Sequence, residues 1–232
     1  MNTGKHSGRI IGALLLLQLV LGILINQYLL GPLTFASDFL TQISLHTTQV
    51  GIGVLMSLIA GAISIGIAVM LLPRFQNQNP GLSLWYLGFT IISFAVTVLD
   101  NISVLSLLSL SREYLAVGAE ASSAYFETLG ALTKGTRYWA HIMNLFVAGF
   151  SLSAFFYLFY VSKLVARFIS VLGIIGVASM LAAVLLLFFG QPMSMLLYLP
   201  LAVATLLLAL ALLIKGFPLS YSDSKGTLNH GN

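Results

Sequence analysis

The sequence predicts an all-α, polytopic transmembrane bundle of about six spans, with both ends in the cytoplasm. Of the 232 residues, 59% are hydrophobic and only 7% are charged, and the mean hydropathy is +1.02. Soluble domains carry roughly 25% charged residues because their surfaces face water. The chain also contains several apolar stretches of about 20 residues, which is the length that crosses a bilayer as a helix. Because backbone groups in lipid must satisfy their own hydrogen bonds, each of these stretches is expected to be helical.

Six stretches have the length and composition of a membrane span. They cover about residues 10–30, 50–72, 82–110, 138–161, 168–189 and 193–214. We expect the first to be an uncleaved signal anchor, since no small-x-small cleavage site follows its apolar core. Gly190-Gln191-Pro192 predicts the break between the last two, because proline lacks a backbone donor and glycine permits a tight turn. Without that break one long apolar run would leave five spans.

The remaining segments are predicted to lie outside the bilayer. Residues 111–136 carry Glu113, Glu120 and Glu127 among alanine, leucine and aromatic residues, which predicts a short, partly amphipathic helix at the outer surface. Residues 216–232 are poor in apolar side chains and predict a disordered cytoplasmic tail. Residues 1–215 are therefore expected to form a single transmembrane domain.

The placement of the basic residues predicts the orientation. An N-in, C-in topology puts seven on the cytoplasmic side, namely Lys5, Arg9, Arg74, Lys163, Arg167, Lys215 and Lys225. Only Arg112, Lys134 and Arg137 fall on the opposite side. Cytoplasmic connections of membrane proteins are enriched in lysine and arginine, which favours this orientation.

Composition also narrows the classes of partner. The net charge of +4 comes from basic residues that are scattered at the ends of apolar segments, so we expect lipid rather than nucleic acid as the partner. The chain has no cysteine, which excludes disulfides and thiolate metal sites. We expect no cofactor.

A polar constellation lies inside the predicted spans. Asp100 and Asn101 fall within the third span, and Arg137, His141 and Asn144 open the fourth at a spacing that places them on one helical face. The predicted topology brings all five to a similar depth on the outer side, with His46 at the same boundary before the second span. We expect Asp100 to contact the face carrying Arg137, His141 and Asn144, because a carboxylate in a membrane needs a counter-charge or donors.

Three interpretations of this constellation stay open. It is a structural clasp between the third and fourth helices, an outward-facing pocket for a small or lipid-like ligand, or an enzyme site. An enzyme site would use His46, Asp100 and His141 as weak candidate ligands of a metal with an activated water. Neither H-E-x-x-H nor G-x-S-x-G occurs in the sequence, so no catalytic residue is assigned.

Two weaker features concern helix packing. Gln18 lies in the middle of the first span and predicts a modest hydrogen bond to another helix. The second span is rich in small residues, which predicts close helix packing rather than a pore lining. They are Gly51, Gly53, Ala60, Gly61, Ser64 and Gly66.

Short motifs stand at the ends of the spans: Arg9-Ile10-Ile11-Gly12, Arg167-Phe168-Ile169-Ser170 with Leu172-Gly173, and Leu199-Pro200 followed by an apolar run to Lys215-Gly216-Phe217. In these motifs the chain resembles a family of bacterial membrane proteins, the domain of unknown function 4386 family. The resemblance covers about residues 9–217 and implies a multi-pass bundle in the bacterial inner membrane, with no established activity. It also implies an acidic residue in the sixth span, where this chain has Thr205.

For function, the leading hypothesis is a membrane protein that binds a small hydrophobic or amphipathic ligand through its outward-facing polar cluster. The alternatives are a small-solute transporter and an intramembrane metal-dependent hydrolase. A transporter would need charged residues or broken helices near the midplane of several spans, and the predicted inner halves are almost uniformly apolar.

Overall fold

A computed structural model describes residues 3–117 and 123–218 of the chain, and all of its regular elements are helices. The α-helices are α1 (Thr3–Ile23), α2 (Gly31–Phe35), α3 (Phe39–Leu45), α4 (Thr47–Gln76), α5 (Pro80–Val117), α6 (Ser123–Ser162), α7 (Arg167–Phe188) and α8 (Leu199–Lys215). A π-helical stretch, Leu24–Leu29, follows α1, and a 3₁₀-helix, Met195–Tyr198, precedes α8.

Six helical segments in the described part of the chain are long and apolar enough to cross a membrane, which confirms the predicted number. They are Gly4–Phe35, Thr47–Gln76, Pro80–Val117, Ala124–Ser162, Arg167–Phe188 and Met195–Lys215. In the most apolar 18-residue stretch of each segment, less than half of the residues are buried within the protein. Most of each stretch is therefore available to lipid.

The fifth and sixth spans separate at the predicted break. Gly190 has a φ of +68°, which glycine adopts without the steric penalty that a Cβ would bring. The Gln191 amide donates back to the Leu186 carbonyl at 2.8 Å and closes the end of α7. The α-helical part of the last span begins only at Leu199, with Pro200 in its first turn, where a missing backbone donor costs nothing.

The segment 111–136 differs from the prediction of a separate surface helix. Its described residues instead continue α5 as far as Val117 and form the beginning of α6 from Ser123, while Glu120 lies outside the described residues. Leucine, alanine and glutamate are good helix formers and no proline interrupts them, so both helices extend. At 38 and 40 residues, α5 and α6 are about 57 and 60 Å long, roughly twice the thickness of the hydrocarbon core.

Other boundaries also differ from the sequence prediction. Helix α4 continues through Pro73 to Gln76, although the proline lacks the backbone N–H that would donate to the Val69 carbonyl. Of the predicted tail, Gly216–Pro218 is described and follows α8 directly, and residues 219–232 lie outside the described residues.

The chain divides into two compact units, and four of the helices contribute to both. Unit 1 comprises residues 1–17, 67–87 and 151–232, and unit 2 comprises residues 18–66 and 88–150. In unit 1 the core contains a cluster of rings in which Phe75 and Phe159 meet edge to face at 5.3 Å and Phe155 and Phe159 at 4.9 Å. Unit 2 has an aliphatic core composed of Leu21, Ile25, Leu30, Leu33, Leu40, Ile43, Val50, Val54, Val104, Leu107 and Leu108.

Candidate functional site

The candidate site of unit 2 is built on matching faces of two antiparallel helices. On α5, Ser93, Thr97 and Asp100 recur at intervals of four and three residues, and such residues share one helical face. Arg137, His141 and Asn144 follow the same spacing on α6. Because the helices run in opposite directions, Asp100 lies against the beginning of the α6 series and Ser93 against its end.

Asp100 lies between two basic side chains of α6. Its Oδ1 atom is 3.7 Å from Nε of Arg137, and its Oδ2 atom is 3.9 Å from Nδ1 of His141. The Asp100 and Arg137 side chains are each 15% exposed, whereas the His141 side chain is 45% exposed. The structure therefore contains the predicted contact between Asp100 and this face, and the imidazole carries a charge only when it is protonated.

A hydroxyl from a third segment holds the guanidinium in place. Arg137 donates from Nη1 to Oγ1 of Thr34 at 2.9 Å, and Thr34 is itself 2% exposed. The Thr34 hydroxyl donates to the Leu30 carbonyl at 2.8 Å, one turn earlier in the chain. Helix α2 thus positions Arg137 beside Asp100.

The carboxylate and the guanidinium do not close into a hydrogen-bonded pair. Oδ1 of Asp100 and Nε of Arg137 are both buried, and neither has a hydrogen-bond partner within the part of the chain that the structure describes. Charge-assisted hydrogen bonds between such groups are normally about 2.7–2.9 Å long. The observed 3.7 Å leaves both atoms facing each other across a gap too long for such a bond.

Further polar contacts link the helices beyond Asp100. Asn144 accepts a hydrogen bond from Ser93 at 2.6 Å and donates one to Thr97 at 2.9 Å. Asn101 is 4% exposed and donates both to Ser57 of α4 at 3.0 Å and to the Thr97 carbonyl at 2.9 Å. Asn101 therefore connects α5 to α4 rather than to α6.

Gln18 makes the interhelical contact that its position predicts. Its side-chain amide donates to the Ser64 hydroxyl at 2.5 Å and to the Ala60 carbonyl at 3.0 Å, both on α4. Close packing is also present along α4, where a Cβ added at Gly53 would come within 2.8 Å of the Leu30 side chain. Gly51 and Gly66, by contrast, face open space.

His46 does not join the cluster. It is exposed at the end of α3, and its Nδ1 atom lies 2.9 Å from the Gln42 carbonyl of the same helix. Among the residues that the structure describes, no group of three or more histidine, cysteine, aspartate or glutamate side chains could hold a metal ion. The three candidate metal ligands therefore do not form such a group.

Four hydroxyl residues that were not predicted from the sequence accept hydrogen bonds from, or donate them to, Arg137, Asn101 and Asn144. They are Thr34, Ser57, Ser93 and Thr97. The helical spacing back from Asp100 could have identified Ser93 and Thr97. Nothing in the local sequence indicates Thr34 or Ser57, because their contacts depend on how distant segments pack.

A helical bundle with six membrane-spanning segments and a buried charged cluster defines a polytopic integral membrane protein. The family described as "Domain of unknown function (DUF4386)" matches residues 10–216. The chain belongs to this family, as the motifs at the ends of the spans predict. No curated protein and no solved structure matches the chain at a significant level.

Proposed function

We propose that this membrane protein binds a small polar or amphipathic ligand between Asp100 and Arg137. The observation that carries the proposal is the pair of buried atoms, Oδ1 of Asp100 and Nε of Arg137, that face each other at 3.7 Å without hydrogen bonds. An unsatisfied buried polar group costs about 1–3 kcal/mol, and more when it is charged. A group that bridges the two atoms would remove that cost.

The chemistry of the two atoms defines what would bridge them. The carboxylate oxygen accepts hydrogen bonds and Nε of arginine only donates. A hydroxyl or an amide, which carries a donor and an acceptor together, satisfies both. The half-exposed His141 forms the open edge of the cluster and offers a third polar contact. We therefore expect an alcohol or amide with an apolar portion that lies among the helices.

A structural clasp is the second candidate, and the close approach of opposite charges favours it. Asp100 is within 4 Å of both Arg137 and His141, and Thr34 holds Arg137 from α2. In this alternative a water molecule bridges the 3.7 Å gap, and the cluster fixes how α2, α5 and α6 pack. The two candidates differ in whether an organic molecule occupies the site.

Mass spectrometry of the purified protein tests the proposal. The full chain is extracted in a mild detergent, and its bound small molecules are identified. They are compared with the molecules bound to the Asp100→Asn and Arg137→Gln variants. Glu127→Gln is the matched control, because Glu127 is an exposed carboxylate on α6. We expect one compound near stoichiometric amounts in the wild type and the control, and at least tenfold less in both site variants. An equal amount in all four proteins, or none in any, would leave only the clasp.

Polar contacts that continue along α4 support the alternative of a transporter. Ser57 of α4 contacts Asn101, and Ser64 of α4 contacts Gln18. Because the chain has no cysteine, single cysteines at positions 57 and 64 can be introduced without further changes. Reaction of both with a water-soluble maleimide from opposite sides of the membrane would favour transport. Reaction from one side, or none, favours a closed binding site.

We infer that both chain ends face the cytoplasm and that the membrane is the bacterial inner membrane. Six spans place the two ends on the same side, and seven of the ten basic residues then lie in the cytoplasm. A cysteine placed at position 120 should react with an impermeant maleimide added outside intact cells, and one at position 225 only after lysis. The reverse pattern would overturn the orientation.

A further inference from the structure

The ends of the first and last spans meet in unit 1. Phe217, two residues beyond α8, is 1% exposed, and Gly8 of α1 contacts its backbone so closely that an added Cβ would overlap it. Gly216 has a φ of +65° and contacts the Lys5 carbonyl. These contacts fix the first turns of α1 against the segment that follows α8.

Four basic residues lie in the segments that meet at this junction. The Arg74 guanidinium lies 4.7 Å from the centre of the Phe217 ring, and Arg9 donates to the Ile214 carbonyl at 3.4 Å. Lys215 is in the last turn of α8 and Lys5 is in α1, and both are exposed. We call Lys5, Arg9, Arg74 and Lys215 the terminal junction.

The described part of unit 1 holds no acidic residue that could neutralise the terminal junction. Its six cations are Lys5, Arg9, Arg74, Lys163, Arg167 and Lys215. Asp223 lies outside the described residues, and one carboxylate could not balance four cations. The Phe217 ring does not neutralise the Arg74 guanidinium above it, whose N–H groups can still donate to an anion.

We propose that the terminal junction binds the phosphate of an anionic phospholipid headgroup. Lys5 and Arg9 stand at the beginning of the first span and Lys215 at the end of the last, so these cations lie where the hydrocarbon core meets the headgroups. Clusters of lysine and arginine next to spans bind anionic lipids, and arginine binds phosphate through two parallel hydrogen bonds. The acyl chains would then lie along the apolar surface of α1 and α8.

Lipid binding to the full chain tests this proposal. Delipidated protein is titrated with phosphatidylglycerol, phosphatidylcholine or inorganic phosphate. Native mass spectrometry counts the bound lipid, and the midpoint of thermal unfolding is measured for the same samples. We expect Arg9→Gln/Arg74→Gln to bind phosphatidylglycerol about 25-fold more weakly, at about fivefold per cation. Lys163→Gln/Arg167→Gln removes the same charge from unit 1 outside the junction and should retain at least a third of the wild-type affinity.

Several outcomes would overturn the proposal. Equal binding of phosphatidylcholine would show that the charge of the lipid plays no part in binding. Equal losses of affinity in the two double variants would show that the position of the basic residues plays no part. Equal stabilisation by inorganic phosphate would show that the site takes a free anion instead of lipid. If the glutamine variant does not fold, Arg9→Lys/Arg74→Lys replaces it. That variant keeps the charge and should bind phosphatidylglycerol within tenfold of wild type, and complete loss in this folded variant would contradict the proposal.

Discussion

Units 1 and 2 differ in the contacts between their helices, although hydrogen bonds from Ser151 to the Tyr86 carbonyl and from Ser179 to the Leu197 carbonyl also occur in unit 1. In unit 2, side-chain hydrogen bonds join α5 to α4 and α6, and a charged cluster lies among them. In unit 1, backbones approach closely at glycines, as at Gly12 against Leu213 and Gly176 against Leu201, and aromatic rings pack edge to face. The two units also differ in their acidic residues: Asp100 lies in unit 2, whereas the described part of unit 1 has no acidic residue.

This difference indicates how readily each unit could admit a polar ligand between its helices. Glycine contacts between backbones allow little change in helix spacing, since no side chain can rotate away. Polar side chains can exchange one partner for another of similar hydrogen-bonding character, including a ligand. The ligand site that we propose between Asp100 and Arg137 lies in unit 2, and we expect the glycine contacts of unit 1 to limit changes in helix spacing there.

The largest expected effect comes from placing a side chain at a backbone contact of unit 1. In Gly12→Ala the new Cβ would lie 2.5 Å from the Leu213 amide nitrogen and 2.7 Å from the Ala209 carbonyl oxygen. We expect a loss of about 3 kcal/mol in the free energy of unfolding, because backbone atoms must move. Thermal unfolding in detergent measures it. Gly22→Ala on the same helix faces open space and should be neutral or slightly stabilising. Equal effects of the two changes would remove the distinction between the units.

A smaller loss is expected from Asp100→Asn. The substitution keeps the shape of the side chain but removes the charge that faces Arg137 and His141, so it should lower the free energy of unfolding by about 2 kcal/mol. A double-mutant cycle with Arg137→Gln isolates the pair, and we expect the two changes to be non-additive. Additive losses would show that the two side chains act independently.

Asn144→Leu should cost about 1 kcal/mol. It keeps the approximate volume but removes the hydrogen bonds to Ser93 and Thr97, and such bonds contribute roughly 0.6 kcal/mol each in membranes. Ser103→Ala is the control, because the exposed Ser103 hydroxyl donates only to Leu99 of its own helix. A larger loss in the control than in Asn144→Leu would contradict the role given to the α5–α6 contacts.

The smallest effect is expected at His46. Its side chain is exposed and contacts only its own helix, so His46→Ala should change stability by less than about 0.5 kcal/mol and leave bound ligand unchanged. Loss of the co-purified molecule in this variant would return His46 to the site.

The sequence predicted much of this organisation, and its errors have physical causes. Apolar length and the Gly190 break predicted six spans, and helical spacing predicted that Asp100 meets Arg137 and His141. The continuation of α5 to Val117 and the beginning of α6 at Ser123 were missed, because hydropathy marks the apolar part of a helix and not its more polar continuation. His46 was grouped with the cluster by its predicted depth, whereas its hydrogen bond in the structure is to Gln42 of α3; sequence can place residues at a common depth but not at a common position around the bundle.

A high-resolution cryo-electron microscopy map of the protein in lipid nanodiscs tests the central claim most directly. We predict density for a non-protein molecule between Oδ1 of Asp100 and Nε of Arg137, extending past His141. Direct contact between the two atoms at about 2.9 Å, or density for a single water molecule alone, would contradict a ligand site and assign the cluster to helix packing alone.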